Sequence, residues 1–127
     1  MRKEAPAHVV HEDARTLVFM DIFPVADGHT LIIPKAHCED IFGADPADLR
    51  AVMDRSRELA QAIGRVLSPD GLGIFQLNGA AAGQTVFHYH MHLIPRNHGA
   101  GLQIHGRTPG DPVRLAEIAK KLAEALA

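Results

Sequence analysis

The sequence predicts an α+β protein, about five antiparallel strands with one long helix and a C-terminal helix packed on one face. Three observations carry that expectation. Short β-branched and apolar runs are separated by hairpin-length connections, a single amphipathic stretch of about 20 residues interrupts them, and a second such stretch closes the chain.

The strands are expected at His8 to His11, Thr16 to Met20, Thr30 to Ile33, Leu72 to Leu77 and Val86 to Ile94, each bounded by turn-forming residues. The long helix is DPADLRAVMDRSRELAQAIGRVL: Asp45 can cap it, Pro46 suits its first turn, and Leu49, Val52, Met53, Ala60, Ile63, Val66 and Leu67 recur on one face. The last helix runs from Val113 to about Leu126, with Leu115, Ile118, Ala119, Leu122 and Leu126 as its apolar positions. NGAAAG and RNHGAGLQIHGRTPGDP read as loops on either side of the last strand. Neither an internal repeat nor an interdomain linker interrupts residues 1–127, so one domain is expected.

Composition excludes several classes. A formal net charge of -2 gives no electrostatic case for nucleic acid or an anionic membrane. No run approaches the ~18 apolar residues of a membrane span and MRKEAPAHVV lacks a signal-peptide core, so a cytoplasmic protein is expected. Cys38 is the single cysteine, which leaves no intrachain disulfide and no CxxC metal site in the chain. Histidine is the unusual residue, with nine copies.

Three of those nine fall in QTVFHYHMHLIPR, residues 84–96. On a strand, His88, His90 and His92 would share one face while Phe87, Tyr89, Met91 and Leu93 take the other. The outer two would then lie roughly 13 Å apart, too far for one metal ion to be held by all three. A structural row, a metal site and an anion-binding or catalytic row are the three readings, and three titratable imidazoles in register favour the last. Gly83, Gln84 and Thr85 just upstream offer small residues, an amide and a hydroxyl as a phosphate cradle.

HYHMHLI resembles the mark of the histidine triad (HIT) family of nucleotide hydrolases and transferases, and the resemblance runs in order through HVVHEDARTLVFMDIFP, GHTLIIPKAH and LNGAAAGQTVFHYHMHLIPR. It implies a HIT-like fold and no cofactor or catalytic metal. His90 would be the nucleophile toward the α-phosphorus of a nucleotide, forming a nucleotidyl-histidine that water hydrolyses. His88 would orient the site, His92 would donate to the phosphate or leaving group, and His29 would sit beneath the triad. The resemblance assigns Asp21 to the ribose hydroxyls, Phe19 and Ile22 to the base pocket, and Asn78, Gly83, Gln84 and Thr85 to the phosphate.

Histidine at position 92, where transferases of the family tend to carry glutamine, favours hydrolysis. GQTV and LIPR look like the dinucleoside polyphosphate branch, RKEAPAHVV and Asn78 like the purine nucleoside phosphoramidase branch of bacterial-type proteins, and the second is preferred. A non-catalytic nucleotide-binding module and a metal-dependent hydrolase using His88, His90 and His29 are the alternatives. Homodimers are usual in the family, with the long helix and a strand at the interface. Bacterial-type relatives often carry a CxxC lead-in that binds zinc with a histidine near PKAH. Its absence suggests a fragment or a natural loss and would leave His37 an unpartnered relic. RNHGAGLQIHG stands where another branch has a Trp-containing tail, so leaving-group preference stays open.

Overall fold

The computed structural model describes residues 8–127. Its elements are β1 (Val9–Glu12), β2 (Thr16–Met20), β3 (Thr30–Pro34), α1 (Pro46–Leu67), β4 (Gly71–Gln76), one 3-10 turn (Ala80–Ala82), β5 (Met91–Arg96) and α2 (Pro112–Leu126). The sheet has the order β1-β2-β3-β5-β4 and every pairing is antiparallel. The expected five strands and two helices are all present.

Local chemistry explains the joints. In the β1–β2 turn, Asp13 Oδ1 accepts the N–H groups of Arg15 and Thr16 at 2.9 and 2.8 Å, and Oδ2 accepts the Thr16 hydroxyl at 2.8 Å. Arg55 of α1 donates to the same Oδ2 at 2.7 Å, tying the helix to the hairpin. At Gly28 the backbone takes φ +89°, and a Cβ there would lie 2.4 Å from Leu67 Cδ1 and 3.0 Å from Pro95 Cγ. Only glycine fits that approach.

Asp45 caps α1 by accepting the Ala47 N–H at 2.8 Å, with Pro46 at the first position. The buried stripe of α1 is Val52, Ser56, Leu59, Ala62 and Ile63. This corrects the expected face in two places. Leu59, absent from that face, is fully buried, whereas Met53 is 56% exposed because it sits ~100° round the helix from Val52. Burying a side chain the size of Leu59 contributes roughly 1.5–3 kcal/mol. Asp111 caps α2 in the same way, accepting the Val113 N–H at 3.1 Å, and Leu115, Ile118, Ala119 and Leu122 face inward.

Both helices cover one sheet face, where Val18, Met20, Ile32, Met91 and Leu93 join the helical stripes in the main core. A smaller cluster of Phe19, Leu31 and Ile33 lies on the other face.

The bounds of four strands differ from expectation, and β3 runs one residue further, to Pro34. β1 begins at Val9, with a register shift between Val9 and His11, and β4 begins at Gly71 and ends at Gln76. The largest difference is β5, which starts at Met91 instead of Val86. Residues 86–90 are outside the ladder because their polar partners lie in loops: the Tyr89 N–H donates to the Cys38 carbonyl at 2.8 Å, and the Val86 carbonyl accepts from the Gln84 side chain at 3.0 Å. His88 and His90 therefore precede the strand, and His92 alone of the triad is in it. Tyr89, Met91 and Leu93 do reach the core, whereas Phe87 is 46% exposed.

Candidate functional site

Strand register lays one row across the helix-free face: Phe19 opposite Leu31, Leu31 opposite His92, and His92 opposite Phe75. Residues directly opposite in antiparallel strands share a face, so the row sets an imidazole between Leu31 and Phe75. His92 stacks on Phe75 with ring centroids 4.6 Å apart and planes inclined by 24°. Phe75 was not among the expected site residues, although its place in the β4 alternation marks the face it takes.

Hydrogen-bond partners fix the protonation pattern of the rings. The Val25 N–H donates to His29 Nδ1 at 3.0 Å, so His29 carries its proton on Nε2. That proton is directed to His92 Nδ1 at 2.9 Å, with Asp21 Oδ2 next nearest at 3.4 Å. His92 is consequently protonated on Nε2, and this buried N–H has no partner among the described residues. A buried unpaired donor costs roughly 1–3 kcal/mol, so it is poised for a ligand. His90 has the opposite tautomer. Its Nδ1–H donates to the His88 carbonyl at 2.8 Å, which leaves the Nε2 lone pair free, in a ring 4.9 Å from that of His92.

His88 turns away from this pair. Its Nε2–H donates to the Pro34 carbonyl at 2.9 Å and its Nδ1 accepts from His37 Nδ1 at 3.2 Å. His37 therefore has a hydrogen-bond partner in His88, whatever its relation to a zinc-binding lead-in. The three triad rings do not form one straight row.

Burial drives the charge states. It lowers the pKa of His29 to about 4 and of His92 to about 3, and the neighbouring charges of Arg96, His105 and His90 add to this at His29. Burial also lowers His88 and His90, against the hydrogen bonds that each donates to a carbonyl. Burial raises the Asp21 carboxyl, opposed by the Phe23 N–H that Oδ1 accepts at 2.8 Å. All the buried rings are neutral near pH 7.

Asp21, His29 and His92 are the only group of three potential metal ligands among the described residues, not the His88, His90 and His29 set of the metal alternative. His29 Nε2 and His92 Nδ1 are 2.9 Å apart and share a hydrogen bond, closer than the ~3.3 Å between two ligands of a tetrahedral ion, so a metal there would have to displace that proton and spread the pair. No third ligand joins the His37–His88 pair among the described residues.

The expected phosphate cradle is narrower than three amides. The Gly83 N–H donates to Ala80 O and the Gln84 N–H to Gly79 O, both at 3.0 Å, so Thr85 contributes the remaining N–H and an exposed hydroxyl. The Gln84 side chain is committed as well, accepting the Gly79 N–H and donating to the Glu39 and Val86 carbonyls at 2.7 and 3.0 Å. Asn78 and Gln76 pair their amides reciprocally at 2.7 and 2.8 Å, and Asn78 Oδ1 also accepts the Ile41 N–H. Gln76 was not foreseen. Ile22 is 48% exposed beside Asp21, while Phe19 is buried in the small cluster.

His105 was also missed as a site residue. It comes from the loop after β5, donates from Nε2 to the Gly83 carbonyl at 3.0 Å, and meets the His92 ring edge-on at 6.0 Å.

The fold and site together define an α+β protein whose helix-free sheet face carries two adjacent imidazoles of opposite tautomer. The HIT domain model matches residues 2–99, and the chain belongs to the HIT family. It is 38% identical over 128 residues to the protein hit of Bacillus subtilis, covering 98% of this chain and 88% of that protein. An HIT-like protein of Mycoplasma genitalium is 41% identical over 90 residues, which cover 71% of this chain and 64% of that protein's length. The adenylylsulfatase HINT3 of Arabidopsis thaliana is 36% identical over 96 residues, 76% of this chain and 49% of that protein. Among solved structures, a Hit-like protein of Bartonella henselae superposes with a TM-score of 0.89 at 38% identity, covering 95% of this chain and 88% of that one. A hypothetical histidine triad nucleotide-binding protein of Sulfolobus tokodaii gives 0.84 at 29%, covering 94% and 83%. No helix among the described residues is long and apolar enough to cross a membrane.

Proposed function

We propose that the protein hydrolyses purine nucleoside 5'-phosphoramidates at the α-phosphorus through a nucleotidyl-histidine, releasing AMP or GMP and an amine. The observation that carries this reading is the tautomer pair: a lone pair on His90 Nε2 beside an unpaired N–H on His92 Nε2. The nitrogen of His90 forms the bond to phosphorus as the phosphorus–amine bond breaks, and the departing amine nitrogen takes up a proton from solvent. The N–H of His92 donates to the phosphate or the leaving group, and water then attacks phosphorus and frees His90.

In this reading His88 holds His90 through its backbone carbonyl, and His29 holds the tautomer of His92. Asp21 takes the ribose hydroxyls, Phe19 and Ile22 flank the base, and Thr85 meets the phosphate. Gly83, Gln84 and Asn78 shape the turn that presents Thr85. No step uses a metal ion.

The relationship to an adenylylsulfatase supports a second leaving group, sulfate, for the same attack. A dinucleoside polyphosphate would be attacked at the same phosphorus. Residues 1–127 are taken as one domain acting in the cytoplasm, as a homodimer through the exposed Met53 of α1 and Ile74 of the edge strand β4.

The test is turnover of an adenosine phosphoramidate in excess EDTA by the parent protein and His90→Ala. Turnover that survives chelation and is lost in the variant is expected. A parent protein that binds AMP but turns over no substrate would replace the hydrolase by a nucleotide-binding module.

A further inference from the structure

The loop between β5 and α2 is fastened at three places around the site. Arg96 donates to the Gly101 and Gln103 carbonyls, which folds the loop back on the end of β5. His105 then donates to the Gly83 carbonyl at 3.0 Å. Beyond it, the Gly110 N–H donates to the Ile22 carbonyl at 2.8 Å, and a Cβ at Gly106 would lie 2.0 Å from the Phe23 carbonyl oxygen. The loop is therefore a strap from the Gly83 turn to the Ile22–Phe23 turn, and His105 is its fastening on the triad side.

Its position relative to the reacting groups is specific. In the proposed function the leaving group departs opposite His90 Nε2 and takes a hydrogen bond from His92 Nε2. The His105 ring stands edge-on to His92, with centroids 6.0 Å apart, so His105 borders the side of the site that carries the His92 donor.

We propose that His105 is a positioning residue that fastens this strap over the Gly83 turn and so selects compact leaving groups over a second nucleotide. The proposal rests on the hydrolase reading. A bulky leaving group must displace the strap and break the His105–Gly83 hydrogen bond, whereas an amine or a sulfate need not.

Three proteins test it: the parent, His105→Ala, and His105→Gln, whose amide N–H can still reach the Gly83 carbonyl. The kcat/KM ratio of a diadenosine polyphosphate to an adenosine phosphoramidate is expected to rise about tenfold in the alanine variant, the worth of one hydrogen bond. The change should fall mainly on the KM of the larger substrate, and the glutamine variant should keep the parent ratio. An unchanged ratio, an equal loss on both substrates, or a glutamine variant that behaves like alanine overturns the proposal. If the parent turns over neither substrate, the hydrolase reading fails, and the strap is read from calorimetric affinities for a diadenosine polyphosphate, ADP and AMP. A gain in affinity for a non-hydrolysed diadenosine polyphosphate, with ADP and AMP unchanged, in the alanine variant alone then upholds the role of His105, and its absence overturns it.

Discussion

His29 Nε2 and His92 Nδ1, 63 residues apart in sequence, are joined by a 2.9 Å hydrogen bond inside the protein. This bond makes His92 a donor toward the site, and its removal is the most direct perturbation of that role.

Imidazole nitrogen NMR at pH 7 should show His92 as the Nε2–H tautomer and His90 as the Nδ1–H tautomer. In His29→Ala the Nε2–H tautomer of His92 loses its fixing partner, and kcat should fall by ~10²-fold or more while AMP affinity changes little. Identical tautomers at positions 90 and 92 in the parent would remove the basis of the proposed mechanism.

Stability should fall on mild acidification. His29 and His92 stay neutral in the folded protein down to about 4 and about 3, whereas unfolded histidines take up protons near ~6.5. Between these limits the unfolded chain binds more protons, so stability is full well above ~6.5 and declines as pH drops toward 4, by on the order of 3 kcal/mol for each of the two rings. Asp13 adds a loss at still lower pH: although burial opposes it, hydrogen bonds from Arg15, Thr16 and His11 hold its carboxyl well below the usual range. Urea midpoints at pH 7.5 and 4.5 measure the histidine part, and equal midpoints would contradict it.

Gly106→Ala and Gly43→Ala should behave differently. The first drives a methyl into the Phe23 carbonyl, while Gly43 has nothing within 4 Å of such a methyl. Limited proteolysis should cut Gly106→Ala faster within residues 97–111, with a stability loss of about 1–3 kcal/mol. Gly43→Ala should match the parent in both measurements.

Gln84→Glu exchanges a donor for an oxygen facing the Glu39 and Val86 carbonyls. A loss of roughly 2–3 kcal/mol is expected at pH 7, with partial recovery at pH 5 as the carboxyl gains a proton to donate. Thr85→Ala, on an exposed residue of the same turn, should leave the thermal midpoint unchanged and weaken nucleotide binding only.

Periodicity made both helices and the number of strands legible, because α1 and α2 repeat their apolar residues at helical spacing and carry Asp-Pro at their starts. The triad was legible as a motif but not as geometry. Alternation in FHYHMHLI fits a strand from Val86 onward, yet Tyr89 gives its N–H to Cys38, a tertiary partner that no local pattern encodes. His105 lies in a glycine-rich loop without periodicity, and its place beside His92 depends on the distant Gly83 carbonyl. The amide pairing of Gln76 with Asn78 likewise needs the end of β4 to be located first.

β5 is the last strand in sequence yet sits between β3 and β4. β1, β2 and β3 pair with sequence neighbours, so their loops close at little entropic cost, whereas β5 must return across the whole helical crossover to find β3. The imidazole pair at positions 29 and 92 comes together in that same long-range closure. A chain whose folding stops at the N-terminal meander thus has three strands but no site, and recovery of activity during refolding would time the insertion of β5 beside β3.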